Sequence, residues 1–323
     1  MVSRRDVLIG GGAAAATFAA TSFFPLVAQN APGFGAPSVV QVGFRKQKLG
    51  DMEIIALNDG VLRRPLAAEF VKNAPLDQVQ ALLKSQNLPT DYIDIPFTAF
   101  LVVAGNRRIL MDTGFGDNGP ATTGRLMANL NAAGFKAEDI DTVVISHYHG
   151  DHINGVRNKA GQLIFPKAKI MVPAPEHAFW MDDARMNAAP EAMKGAFNAV
   201  RRVFNGLSAE QLTQFQPGSE IAPGITSVAA FGHTPGHTLF TVASKGEKFA
   251  FVADLTNVPQ LFARNPDWAV QFDMDADAAR TTRRKVFEMI VDEKMMAGGY
   301  HFPFPAFGRI EKLGGGYDFK PVA

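Results

Sequence analysis

The chain has 323 residues, 47% of them hydrophobic, enough to bury one large core or two modest ones. Its formal net charge of +1 leaves no basic footprint for nucleic acid, and the densest basic run, residues 280–285 (RTTRRK), reads as the solvated face of a helix. Cysteine is absent, which excludes disulfides, thiolate ligands and cysteine nucleophiles together, so any metal site must be built from histidine and carboxylate.

At the N-terminus, Arg4 and Arg5 precede a Gly- and Ala-rich apolar run reaching about residue 28. This has the form of a twin-arginine export signal, a charged start followed by a stretch too weakly apolar for a durable membrane span. Residues 1–30 are therefore expected to send the protein to the periplasm or outside the cell. Cleavage is expected, with an uncleaved anchor as the alternative, because no clean small-x-small site stands around residues 26–31. Residues 31–41 are rich in Gly, Pro and Ala and are expected to form a linker, and residues 42–323 a single domain.

Residues 51–59 alternate into a strand that stops at the turn signal Asp59-Gly60. Helical periodicity follows over 76–87, with Leu76, Val79, Leu82 and Leu83 on one face. Residues 96–104 and 108–112 form a hairpin around Gly105-Asn106. A helix is expected over 125–133, buried strands over 141–146 and 169–172, and helices over 175–187 and 192–204. Strands resume at 225–230, 239–243 and 249–253, and a last helix spans about 276–294. No internal repeat appears. Strand clusters followed by helices, twice over, imply two sheets covered outside by helices.

Residues 145–153 (ISHYHGDHI) place four potential ligands, His147, His149, Asp151 and His152, at the end of one such strand. Histidines two apart in extended backbone point to the same side and can share a metal. Gly150 lets the chain bend, so Asp151 and His152 can address a second position. A solvated loop or a hydrogen-bonded turn is the competing reading. So many close imidazoles would repel when protonated and need partners when buried, whereas a divalent cation satisfies all of them together. Downstream, residues 231–238 (FGHTPGHT) bring His233 and His237 on a turn, Asp254 follows the strand 249–253, and His301 follows Gly298-Gly-Tyr300.

Over residues 42–321 these motifs resemble the metallo-β-lactamase superfamily, in the dinuclear branch of methyl parathion hydrolase and related arylesterases and lactonases. The resemblance implies a four-layer αβ/βα sandwich and two divalent metal ions, zinc first, with manganese, iron or cobalt as alternatives. It implies that His147, His149 and His233 hold one ion, that Asp151, His152 and His301 hold the other, and that Asp254 bridges them. Asp112 would orient a ligating imidazole from behind, and His237 would brace the turn. His177 belongs to no motif and reads as an ordinary surface or packing histidine. Two divalent ions roughly 3.5 to 4 Å apart lower the pKa of a shared water, so neither serine nor cysteine is needed as nucleophile. Asp254 would fix the spacing and Asp151 relay a proton, which makes them the catalytic carboxylates.

The implied substrate is a hydrophobic ester, lactone or phosphotriester. Phe115, Trp180, Phe197 and Phe302 are candidate pocket walls, with core packing the competing explanation. The resemblance also implies a homodimer. An N-acyl homoserine lactonase is one alternative. A class B β-lactamase is another, disfavoured because those enzymes generally lack the bridging aspartate. Glyoxalase II carries a further C-terminal region, and a nuclease of this fold would need a basic surface. Outside catalysis, a periplasmic metal-binding protein would show closed coordination and no pocket.

Overall fold

The computed structural model describes residues 33–322; the expected export signal and the first two linker positions lie outside them. The first sheet has seven strands in chain order: β1 (Phe44–Leu49), β2 (Met52–Pro65), β3 (Tyr92–Ala104), β4 (Arg107–Met111), β5 (Thr142–Val144), β6 (Lys169–Pro173) and β7 (Leu212–Phe215). It is antiparallel from β1 to β4 and parallel from β4 to β7. Its connections carry α1 (Leu76–Ser85), α2 (Leu126–Ala132), a helical turn α3 (Gly150–Ile153), α4 (Ala174–Trp180), α5 (Asp183–Ala188) and α6 (Glu191–Phe204).

The second sheet is built from β8 (Glu220–Ala222), β9 (Ile225–Ala229), β10 (Thr238–Ser244), β11 (Glu247–Phe251), β12 (Met296–Gly298), β13 (Phe307–Leu313) and β14 (Gly316–Pro321), ordered from one edge to the other. Only β11 and β12 run parallel within it, joined through α7 (Pro259–Phe262) and α8 (Ala276–Asp292). The sheets meet face to face. Phe100 of β3 packs its ring against Phe249, Phe251 and Phe307 of the second sheet, at centroid separations of 5.5, 5.2 and 5.3 Å. Their interior faces are apolar, with Phe97–Val102 of β3 and Phe249–Phe251 of β11 buried. Outside, α2 packs on β1 and β2 and α4 on β6, while α7 and α8 pack on β14 and β13. This is the expected α/β sandwich of two sheets flanked by helices.

The strand expected to stop at Asp59-Gly60 instead continues to Pro65 through a bulge, where the register with β3 shifts between Asn58 and Gly60. Gly60 takes a φ of +137°, and a Cβ there would stand 2.1 Å from the Thr122 carbonyl, so the turn signal marks a close approach rather than an ending. The helix expected over 175–187 is two: Asp182 accepts from the Arg185 amide at 3.0 Å and starts a new N-terminus. Gly150 begins a helical turn rather than a glycine-specific bend, its φ lying outside the left-handed region. The C-terminal hairpin β13–β14 and the edge strands β1, β7 and β8 were not evident from the periodicity. Residues 33–41, expected as linker, hold no helix or strand, but the Phe34 carbonyl accepts from Arg63 Nη1 at 2.8 Å.

Candidate metal centre

The candidate ligands all stand just beyond strand ends. Asp112 follows β4, the cluster of His147, His149, Asp151 and His152 follows β5, the His233 turn precedes β10, Asp254 follows β11 and His301 follows β12. Parallel pairing of β4 with β5 sets Asp112 beside Ser146, whose amide and hydroxyl donate to its two carboxylate oxygens at 2.8 and 2.7 Å. The two sheets join here through the Thr238 amide, which donates to the Ser146 carbonyl at 3.0 Å. Two non-glycine residues adopt left-handed backbone at this rim, Asp112 (φ +61°) and Ala253 (φ +46°), the latter presenting Asp254.

Seven side chains converge into two groups: His147, His149, His233 and Asp254 form one, and Asp151, His152 and His301 the other, with the ligand atoms of each group within 4.8 Å of one another. Asp254 stands between them. Its Oδ2 lies 3.2 Å from His233 Nε2 and 3.0 Å from His301 Nε2, and its Oδ1 lies 3.2 Å from His152 Nε2. His147 Nε2, His152 Nε2 and Asp254 Oδ1 are buried without a hydrogen bond. Such inward-facing atoms are costly in an apolar interior unless a cation takes their lone pairs. His233 Nε2 and His149 Nδ1 approach to 2.9 Å, so one of them carries a proton where a cation would draw both. Imidazole and carboxylate donors with no thiolate suit a borderline divalent ion, and the residues present fit two of them.

Behind four of the inward-facing nitrogens the opposite edge of the ring is held. His152 Nδ1 lies 2.7 Å from Asp112 Oδ2, and the His152 ring rests on Tyr300 at a centroid distance of 3.9 Å. The Tyr300 hydroxyl donates to the Asp151 carbonyl. His301 Nδ1 donates to the Pro96 carbonyl at 2.8 Å, and His147 Nδ1 lies 3.0 Å from Ser146 Oγ. His233 Nδ1 meets Asp273 Oδ1 at 2.9 Å, and Asp273 in turn receives the buried Arg283. These contacts fix which nitrogen faces the centre. His237 differs: Nδ1 donates to the Ala230 carbonyl at 2.9 Å and Nε2 accepts from the Asp254 amide at 3.1 Å, so both nitrogens are used in bracing the turn and the Asp254 backbone. His177 lies outside both groups, its Nδ1 2.8 Å from the Tyr148 hydroxyl. Asp273, Tyr300 and Glu176 are functional neighbours that no motif announced.

The electrostatics suit ligation. Burial holds His147 well below its usual 6.5 and pushes His149 and His237 down to about 3, which keeps them neutral. For Asp254, burial opposes ionisation, but His301 and His152 outweigh it and hold the carboxyl well below 3.8; His152 and His301 likewise lower Asp151. Burial also works against charge on His152 and His233, yet the carboxylates around them prevail, raising His152 well above 6.5 and His233 to about 9. Negative charge is concentrated where two cations would sit.

The four aromatics expected as pocket walls are all at most 2% exposed. Phe115 packs edge-on to Phe97, Trp180 against Phe197, and Phe302 against Phe319, so they belong to the core packed around the centre. An apolar cavity of about 270 Å³ lies elsewhere, lined among others by Val61, Leu83, Ile93, Pro96, Val258 and Phe304. Pro96, whose carbonyl holds His301, belongs to its wall. None of the four aromatics lines it.

A fold of two face-to-face sheets with this cluster at their shared rim defines a metal-dependent hydrolase, and the chain belongs to the metallo-beta-lactamase superfamily, whose family model matches residues 96–296. Among solved structures, the chain is similar to AidC, a dizinc quorum-quenching lactonase in complex with a product, at 31% identity and a TM-score of 0.80, covering 87% of this chain and 98% of that one. It is similar to the hydrolase AbOPH at 27% identity and a TM-score of 0.82, covering 88% and 99% of the two chains. A probable metal-dependent hydrolase from Staphylococcus aureus, at 24% identity and a TM-score of 0.63 over 79% of this chain and 91% of its own, shares the fold. No curated protein matches.

Proposed function

We propose that the chain is a dinuclear metal hydrolase of hydrophobic lactones, with N-acyl homoserine lactones as the substrate class. The observation that carries this reading is the pair of ligand groups sharing Asp254, in a chain 31% identical over 87% of its length to a dizinc lactonase. His147, His149, His233 and Asp254 would hold one ion and Asp151, His152 and His301 the other, Asp254 bridging, with zinc the first choice. Two such ions, when bound, would supply a nucleophile at neutral pH and polarise the scissile carbonyl.

The chain's own residues do the remaining work. Asp112, Asp273, Ser146 and Pro96 hold the imidazoles in place, so no ring has to reorganise during reaction. Asp151 is the more exposed catalytic carboxylate, its side chain 12% accessible against 5% for Asp254. Its carboxylate would accept the proton of the attacking water and return it to the leaving alkoxide. The apolar cavity beside Pro96 takes the acyl part. Aryl esters and methyl phosphorothioate triesters form the second reading, favoured by phenolic leaving groups that depart without strong acid assistance. The twin-arginine form of residues 1–30 supports export to the periplasm. Among the described residues, no helix is long and apolar enough to cross a membrane.

The test is kcat/KM of the zinc-loaded protein on N-hexanoyl homoserine lactone, phenyl acetate and a methyl phosphorothioate triester, side by side with a chelator control. The lactone should exceed the others by orders of magnitude and all turnover should stop with chelator. A triester preference would replace this reading with the second one, and turnover that survives chelation would remove both.

A further inference from the structure

Glu176, at the start of α4, ligates nothing in either group, yet its carboxylate is fully buried and fully bonded. Oε1 accepts from the Tyr148 amide at 2.9 Å and from Trp180 Nε1 at 2.8 Å. Oε2 accepts from Thr234 Oγ1 at 2.8 Å and from the Gly236 amide at 2.7 Å. Three N–H donors and one hydroxyl face it, a set that a carboxyl group satisfies and a side-chain amide of the same shape does not. Tyr148 lies between His147 and His149, and Thr234 and Gly236 follow His233. One carboxylate therefore ties the loop carrying two histidines of the first group to the turn carrying the third.

The approach of α4 to that turn is close. A Cβ at Gly236 would stand 2.2 Å from the Glu176 amide, so only glycine admits the contact. Trp180, the other donor to Oε1, lies edge-on to His149 at 6.4 Å. A buried carboxyl group is an expensive way to fill space, and an apolar side chain of similar volume would pack as well at lower cost. What the carboxyl group supplies and an apolar side chain does not is a fixed distance between the two loops. Histidines brought from different strands need such a distance before they can share one ion.

We propose that Glu176 is a positioning residue that sets the spacing of His147 and His149 against His233, and thereby the affinity of this three-histidine group for a divalent cation. The proposal rests on the reading that both groups bind metal. Its test is a stepwise titration of the full-length, metal-free protein with zinc against a chromophoric chelator. The visible spectrum of the cobalt-loaded protein and the thermal transition of the metal-free protein are recorded in parallel.

In Glu176→Gln an amide NH2 faces the Gly236 donor, and one of the two binding steps should weaken by about 10- to 100-fold. The cobalt bands of one site should change while those of the other stay. Should that variant fail to fold, Thr234→Val keeps the shape and removes one donor, and the same step should weaken by a smaller factor. Binding of both ions by both variants as tightly as in wild type would overturn the proposal. So would an equal loss in both steps that tracks a lowered thermal transition, which would mark Glu176 as a merely structural residue. If wild type itself fails to bind two ions, the metal reading falls and takes the proposal with it.

Discussion

Asp273 shows how much of the centre depends on residues that touch no ligand position. Its Oδ1 holds His233 Nδ1 at 2.9 Å, and its Oδ2 lies 3.4 Å from Nη2 of Arg283, a guanidinium with no solvent access. Arg283 otherwise donates to the carbonyls of Leu255, Pro266 and Trp268. Removing the carboxylate leaves a buried cation facing neutral dipoles, a situation that costs about 3 to 5 kcal/mol. Asp273→Ala should therefore lower the stability of the metal-free protein by about that much in urea unfolding, and Arg283→Met in the same chain should restore part of it. A loss below about 1 kcal/mol would show that the three carbonyls alone suffice for Arg283. The ligands themselves were legible because their signal is local: four of them crowd into residues 147–152, His233 and His301 sit among glycines, and Asp254 directly follows an apolar strand. Asp273 was not, because its partner His233 is forty residues away and nothing nearby distinguishes it from the acids that open a helix, such as Asp275, which caps α8 through the Ala278 amide. Tyr300 and Glu176 are hidden for the same reason.

At the scale of elements, the bulge in β2 does what the expected turn could not. It keeps the strand paired with β3 while turning Asp59 inward, where Oδ2 accepts from the Phe115 amide at 2.9 Å and Oδ1 from the first amide of α2, Leu126, at 3.0 Å. One carboxylate thus fastens both ends of the segment after β4. The Asp-Gly pair was visible in the sequence; whether the strand ends or bulges there depends on the Thr122 carbonyl, which only the tertiary fold brings close. Burial pushes the Asp59 carboxyl up from 3.8 to about 7, against the pull of its backbone donors and with the help of the Asp151 charge. The native chain therefore holds a proton that the unfolded chain releases between those values. Stability from this group is complete below 3.8 and is lost as the pH rises through about 7, an effect of up to about 4 kcal/mol. Urea midpoints measured between pH 4 and 8 should fall with rising pH more steeply in wild type than in Asp59→Asn, which cannot titrate. Parallel curves for the two proteins would mean that the donors keep Asp59 ionised throughout.

Taken as one molecule, the centre is a joint between two sheets. Asp112, His147, His149, Asp151 and His152 extend from the first sheet, while His233, Asp254 and His301 extend from the second, so neither sheet alone completes either ligand group. Periodicity could show that two sheets exist, and the ligand order could show that they meet at their strand ends. It could not supply the edge strands β1, β7 and β8, whose short or half-exposed runs carry little apolar pattern. Because an ion at this joint binds the native arrangement and not the unfolded chain, each one stabilises the fold by mass action, about 4 kcal/mol at a thousandfold excess over its dissociation constant. A domain of this size gains about 2 to 4 °C in Tm per kcal/mol, so stripping the metal with chelator should lower Tm by about 10 °C or more. Returning zinc should restore it in proportion to the ions bound, and the two-ion form should unfold later than the one-ion form. If metal analysis finds two ions per chain and Tm is nevertheless indifferent to chelation, the ions lie outside the joint and both ligand groups have been wrongly assigned.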